Sequence, residues 1–390
     1  MKALLVSAEL APKPGYTVTE WERTTGKYRS GNNVWCFPQL DVVEWPIPTL
    51  TPDQVLIRVR ACGVCGSDLH FYETDRDGYM LYPGLTRFPR VTGHEYSGEI
   101  VEVGTGVRGL RPGDMVCSEE MLWCGACLSC RNGYFNHCEQ LDELGFTVDG
   151  AFAEYLAIDQ KYCWKIDAIA ERYGDAERAF EAAALVEPTS VAYNGLFNRM
   201  GGFRPGSYAA VYGAGPIGLT AIGLLRAAGA ARVIAFDTSA PRRALAQRLG
   251  ADVAYDPAQL HESGTSAGAA VLNHTEGRGA DVHVEAAGVP ERTMVDIERS
   301  LAIDAKVLII GRSHTRTPVY LEQFQVRHSQ IFGTQGHSGN SCYPNVIRLM
   351  ASGLLDLSPM ITSRFHLADA VDAIHQGTKR TDGKILVRMP

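Results

Sequence analysis

At 390 residues the chain is too long for one ordinary core, and with 45% hydrophobic and 21% charged residues it has the composition of a packed globular protein. Two domains are the starting expectation. The formal net charge of -7 and the scatter of Lys and Arg along the chain argue against a nucleic-acid or membrane-surface partner and leave a small-molecule substrate.

The N-terminus, MKALLVSAELAPKPG, has one short apolar run with no cleavage-site pattern after it, and no stretch is apolar for long enough to span a bilayer. A cytoplasmic protein is expected. Residues 1 to about 187 are rich in Gly, Pro and β-formers with frequent turn signals, which reads as mostly β. Within them VLIRVRACG alternates like a half-buried strand, and YSGEIVEVGTGV followed by RPGDMV reads as strand, turn, strand. Helical periodicity enters near residues 167 to 187.

From about residue 205 strands and helices alternate. Residues 207 to 213 form a β run, GLTAIGLLRAAGA a helix ended by Gly229, and ARVIAFD an apolar strand ending in an acid. SAPRRALAQRLGA follows, with Ser239 as N-cap, Leu245 and Leu249 one turn apart and Gly250 as C-cap. ADVHVEAAG and AKVLIIG read as further buried strands, apolar as a parallel sheet requires. This is a doubly wound α/β unit. The chain's end returns to short mixed elements, so the expected division is 1–188 with 337–390 against 189–336.

Three motifs carry chemistry. In YGAGPIGLT, Gly213, Gly215 and Gly218 stand in G-x-G-x-x-G spacing after a strand, with Pro216 and Ile217 opening a helix. The first Gly permits the turn, the second lets backbone approach a pyrophosphate, and the third lets helix and strand pack. Asp237 ends the next strand, where an acid accepts hydrogen bonds from the adenosine ribose; Arg242 and Arg243 lie close by. An NAD site is expected. CGACLSCRNGYFNHC places Cys124, Cys127, Cys130 and Cys138 where four thiolates can close around one structural zinc, an iron-sulfur cluster being the alternative. GVCGSDLH and GHEYSG supply Cys65, Ser67, Asp68, His70, His94 and Glu95, a set in which Cys, His and a carboxylate are the ligands that zinc accepts while keeping one position open. Glu187, in LVEPTSVAYN, is a candidate fourth, exchangeable ligand. Ser67, two residues from Cys65, can take a proton from a zinc-bound oxygen and His70 can pass it to solvent. Asp68 is read as an acceptor for the second N-H of His94.

With GVCGSDLH, GHEYSGEIVEVG, the four-cysteine lobe, LVEPTSVAYN and VYGAGPIG in this order, the chain resembles the medium-chain, zinc-dependent alcohol and polyol dehydrogenases over nearly all its length. EEMLWCG, ELGFTVDGAFAEY and FQVRHSQIFGTQGHSG look like the cyclitol branch. The resemblance implies a GroES-like catalytic domain beside a Rossmann coenzyme domain, with two zinc ions per chain. It also implies a catalytic zinc on Cys65, His94 and Glu95 with Glu187 at or near the fourth position, and a homodimer or homotetramer. The expected activity is hydride transfer between a secondary alcohol of a polyol or cyclitol and NAD. Glu119, Glu120, Gln335 and His337 are candidate partners for a hydroxyl-rich ring. A sorbitol- or threonine-type substrate is the runner-up, and a non-catalytic dinucleotide-binding protein is the reading from another class. Residues 11 to 36 and 73 to 88 are longer than in compact members of this family and are expected near the substrate cleft.

Overall fold

The alternation in QVLIRVRACG produces the strand Gln54–Gly63, whose inward residues Val55, Ile57 and Val59 are fully buried. It is the centre of a seven-stranded sheet, pairing antiparallel with Glu95–Val103, Tyr155–Asp159 and Lys384–Arg388. In the computed structural model, which describes residues 1–313, 315–337 and 339–390, this sheet organises the first of two units. That unit comprises Met1–Glu187, Ser363–Lys379 and Lys384–Pro390; the second comprises Pro188–Thr362 and Arg380–Gly383.

The longer segments, 11–36 and 73–88, fold against each other in the first unit. Tyr28 and Thr86 exchange backbone hydrogen bonds of 2.8 and 2.9 Å, Met80 N donates to Trp35 O at 3.1 Å, and Trp35 Nε1 donates to Thr86 Oγ1 at 3.0 Å. Between them Tyr28, Trp35, Phe88, Phe71, Tyr82 and Phe146 interlock edge to face or tilted, with centroids 5.0 to 5.5 Å apart.

The second unit carries a six-stranded parallel sheet. Numbering its strands from Tyr208–Tyr212 onward, the spatial order is 3-2-1-4-5-6, the doubly wound arrangement whose order reverses beside the first strand. The strands read as Tyr208–Tyr212, Arg232–Phe236, Ala280–Glu285 and Leu301–Ile309 match the expected ones; Val253–Tyr255 and Gln330–Gly333 complete the edges. The α/β fold class, a β-rich unit and a doubly wound parallel-sheet unit, is as expected.

The sequence boundary at 337 differs from this division, because residues 337–362 group with the second unit. The reason is packing: helix Cys342–Ser352 buries Val346, Ile347 and Met350, and Leu355 and Leu357 close over Gly223, where a Cβ would meet them at 2.9 and 3.1 Å. Among the described residues no helix is long and apolar enough to cross a membrane.

Candidate active site

Cys65 follows the end of strand Gln54–Gly63 and is the N-cap of helix Gly66–Tyr72, with extended backbone at φ -91 and ψ 160. Asp68 Oδ2 accepts the Cys65 backbone N-H at 2.9 Å and locks this turn. On the neighbouring strand Glu95 stands opposite Gly63, with His94 just before it. Sheet register thus brings the Cys65 thiol, a ring nitrogen of His94 and a Glu95 oxygen within 4.8 Å of one another. His94 and Glu95 are buried, the ring of Phe146 packs 4.8 Å from that of His94, and His94 Nδ1 is buried with no hydrogen-bond partner.

Burial pushes the Cys65 thiol up to about 12 with Glu95 adding to it, Asp68 up to about 6 against the pull of His94, and Glu187 up to about 8. Burial disfavours the charged form of His94, yet the acids around it, Asp68 first, raise its pKa. A thiol, an imidazole and several carboxyls buried together form a site of negative potential that a divalent cation would relieve. Sulfur, nitrogen and oxygen donors converging from three residues fit zinc with one position left open.

Of the remaining candidates, Ser67 Oγ is buried and without a hydrogen-bond partner, while the His70 side chain is 40% exposed with Nε2 4.0 Å from Glu73 Oε2. Glu187 stands outside the tight trio; its carboxylate lies within 4.8 Å of that of Glu120. One reading is corrected. Asp68 makes no hydrogen bond to His94, since Oδ2 is spent on the Cys65 turn and Oδ1 has no partner; it acts on the imidazole by charge alone. Glu119 is tied into the fold, its two oxygens accepting the indole N-H groups of Trp123 and Trp164 at 2.9 and 3.1 Å. Gln335 is exposed and His337 buried, its Nε2 3.4 Å from Tyr343 Oη, both in the second unit.

One residue escaped the sequence reading. Lys384, at the start of the strand Lys384–Arg388, is fully buried and ion-paired with Glu95. Burial alone would lower its pKa, but Glu95 and then Cys65 hold it raised. In GKILVR it reads as a solvated strand end, and nothing local in the sequence marks it.

In the lobe of residues 124–138 the four cysteine sulfurs lie within 4.8 Å of one another, and Cys127 Sγ is 3.9 Å from Cys138 Sγ. Zinc-sulfur bonds of about 2.3 Å at tetrahedral angles need sulfurs about 3.8 Å apart, so the cage fits the ion. The N-H groups of Ala126 and Cys127 donate to Cys124 Sγ at 3.3 Å and hold its thiol down to about 6, and that of Gln140 donates to Cys138 Sγ at 3.3 Å. Helix Leu128–Arg131 and the turn Phe135–His137 close the lobe, with Trp123 against Phe135 at 4.6 Å.

In the second unit Gly213 takes φ 91, and a Cβ there would meet Ala287 Cα at 2.7 Å; a Cβ on Gly218 would strike Gly213 O at 1.8 Å. Both glycines are therefore required by contact. Gly215 caps helix Pro216–Ala227, with open space above it and the Arg242 guanidinium 3.7 Å from where its Cβ would be. The amides of that helix start, together with Arg242, make an anion site suited to a pyrophosphate. Asp237 Oδ2 accepts Ala214 N and Oδ1 accepts Ser239 N, each at 2.7 Å. Ser239 occupies the N-cap of helix Ala240–Arg248, but its hydroxyl makes no cap bond; the carboxylate of Asp237 satisfies the Ser239 N-H instead.

A nucleotide-binding parallel sheet joined to a β-rich unit bearing a sulfur-nitrogen-oxygen metal trio and a four-cysteine cage defines a metal-dependent nicotinamide oxidoreductase. Residues 51–168 match the alcohol dehydrogenase GroES-like domain and residues 216–352 the zinc-binding dehydrogenase domain. The chain belongs to this zinc-binding dehydrogenase family and is an alcohol or polyol dehydrogenase using zinc and a nicotinamide cofactor. It is 44% identical over 385 residues to scyllo-inosose 3-dehydrogenase of Thermotoga maritima, covering 96% of each chain. A solved alcohol dehydrogenase from Thermotoga maritima superposes with a TM-score of 0.93 at 42% identity over 99% of each chain. A zinc-binding dehydrogenase from Sinorhizobium meliloti 1021, solved bound to NADP, gives 0.75 at 26% identity, covering 98% of this chain and 99% of that one.

Proposed function

We propose that the chain interconverts a secondary alcohol and a ketone on a polyhydroxylated ring of the inositol, inosose or aminocyclitol type, with NAD as hydride partner. One zinc at Cys65, His94 and Glu95 serves the chemistry, with Glu187 as exchangeable fourth ligand, and a second zinc in the cage of Cys124, Cys127, Cys130 and Cys138 holds the lobe. The observation that carries this reading is the trio of unlike donors, two of them buried, incomplete as a tetrahedral shell, in a chain that also holds the complete shell of four cysteines. Bound at the trio, zinc would supply Lewis-acid polarisation of the substrate oxygen.

The chain's own residues do the rest. Ser67 offers a buried hydroxyl that relays, accepting the proton of the substrate alcohol as it gives up its own, and His70, reaching solvent, carries the released proton outward. Burial keeps bulk water from competing for the oxygen. Glu120, buried beside Glu187, is an acceptor for neighbouring ring hydroxyls, and similarity to a scyllo-inosose 3-dehydrogenase supports a ring substrate. In the second unit Gly213, Gly215, Pro216, Ile217, Gly218 and Arg242 receive the pyrophosphate and Asp237 the adenosine ribose. The edge strand Gln330–Gly333, with Ile331 43% exposed, and the helix Leu321–Arg327 before it, with Leu321 72% exposed, support association into a homodimer or homotetramer.

The test is kcat/KM, from NADH absorbance, for myo-inositol, scyllo-inosose and an aminocyclitol beside ethanol, sorbitol and threonine. A cyclitol should be turned over best. If ethanol or threonine wins, the ring substrate is refuted while zinc and NAD stand; no turnover of any alcohol refutes the enzyme reading.

A further inference from the structure

The strand Gln54–Gly63 has Glu95–Val103 on one side and Lys384–Arg388 on the other, so Gly63 stands between Glu95 and Leu386. A Cβ at 63 would come within 2.3 Å of Glu95 Oε2 and 3.2 Å of Lys384 Cδ. The missing side chain opens a gap through which Lys384 and Glu95 meet across the intervening strand. Lys384 Nζ donates to Glu95 Oε2 and, at 3.1 Å, to the carbonyl of Val64, the neighbour of Cys65. The two side chains are 0% and 1% exposed. A lysine with no solvent contact is rare without a partner, and here one ammonium ties together the segments that carry Cys65 and Glu95.

A carboxylate can offer zinc one oxygen or two. Two from Glu95, with the Cys65 sulfur and a His94 nitrogen, would make four donors and close the shell, as four thiolates do in the lobe of residues 124–138. A closed shell holds a metal but leaves no position for an alcohol.

We propose that Lys384 is a positioning residue that keeps Glu95 a one-oxygen ligand: by occupying Oε2 it preserves the open position at which substrate binds. This rests on the catalytic-zinc reading above. The role belongs to the pair, since Gly63 supplies the space, Lys384 the restraint and Glu95 the donor.

The test compares wild type, Lys384→Met and Lys384→Arg, each loaded with zinc or with cobalt(II). The readouts are the rate at which a chelator removes the labile ion, and the visible cobalt spectrum with and without a saturating polyol. Freed from the ammonium, Glu95 in Lys384→Met should take both positions. The labile ion should leave about tenfold more slowly, the size typical of changes to groups that hold a metal ligand, and the spectrum should no longer answer the polyol. Lys384→Arg, which keeps a cationic donor, should restore both properties. Thermal melting and NADH binding report folding; if Lys384→Met melts early, Lys384→Gln, with no charge but a donor for the Val64 carbonyl, is read in its place. A variant without the charge whose spectrum still shifts with polyol and whose ion leaves at the wild-type rate overturns the proposal. Wild type that binds a single ion, lost on replacing Cys124, refutes the catalytic-zinc reading instead and this proposal with it.

Discussion

Replacing Asp237 tests the cofactor reading most directly, because the structure gives this carboxylate two jobs that can be separated. Inside the fold its oxygens accept Ala214 N and Ser239 N at 2.7 Å each, joining the glycine turn to the start of the next helix. Each oxygen keeps a second acceptor direction for a ribose hydroxyl. Hydrogen bonds to a charged group contribute about 1.5–3 kcal/mol apiece, and Asp237 is only half-buried, so water recovers part of the loss. Asp237→Ala should therefore destabilise the second unit by about 2–4 kcal/mol. Asp237→Asn keeps one acceptor and turns an NH2 toward the other amide, which costs about 1–3 kcal/mol. For the cofactor the sign differs. A 2′-phosphate facing Asp237 meets a like charge worth several kcal/mol, and about 4 kcal/mol is roughly a thousandfold. Arg243 does not cancel this, since its Nη1 already donates to Asp237 O, Thr238 O and Asp256 Oδ2. Wild type should prefer NAD over NADP by about a thousandfold, and Asp237→Asn should lose most of that preference. The assay is kcat/KM with each dinucleotide, beside melting curves with and without NADH. A wild-type preference for NADP, or an unchanged ratio in Asp237→Asn, refutes the argument.

Gly218→Ala places a Cβ 1.8 Å from Gly213 O, so the helix start must move; NADH fluorescence titration should show binding lost, and normal affinity would contradict the glycine assignment. Mild chelation should remove activity before structure, and metal analysis should find two zinc ions per active chain. Cys65→Ala should abolish turnover while NADH binding persists, whereas Cys124→Ala should chiefly lower the melting temperature; equal destabilisation by both would count against two kinds of site. Glu22, in the segment 11–36, is buried, which opposes its charge, yet hydrogen bonds from Tyr16 Oη, Arg29 N and Thr19 hold its pKa lowered to about 2. A carboxylate lowered from 4.5 to about 2 contributes stability above pH 4.5, on the order of 3 kcal/mol, that is lost as pH falls toward 2. Hydrogen exchange in residues 11–36 should rise across that window in wild type, and Glu22→Gln should show fast exchange already at pH 7.

What was legible in the sequence is what local spacing dictates. The glycine turn, Asp237, the four-cysteine lobe and the alternating strand before Cys65 are each written within a few residues, and strand register then brings Cys65, His94 and Glu95 together. What was not legible depends on groups distant in the chain. Glu119 lies in an acidic pair that looks available, and only the fold supplies Trp164, 45 residues on, to claim one of its oxygens. The boundary at 337 failed for the same reason: Leu355 and Leu357 carry no mark saying that they close over Gly223. Lys384 is the extreme case, 289 residues from Glu95. The sequence does hold one trace of it, the glycine of RACGVCG. A Gly in a strand often marks a place where another group approaches closely. Gly63 ends its strand, and the groups that approach there are Glu95 and Lys384, so this glycine is the local imprint of a contact made from the far end of the chain.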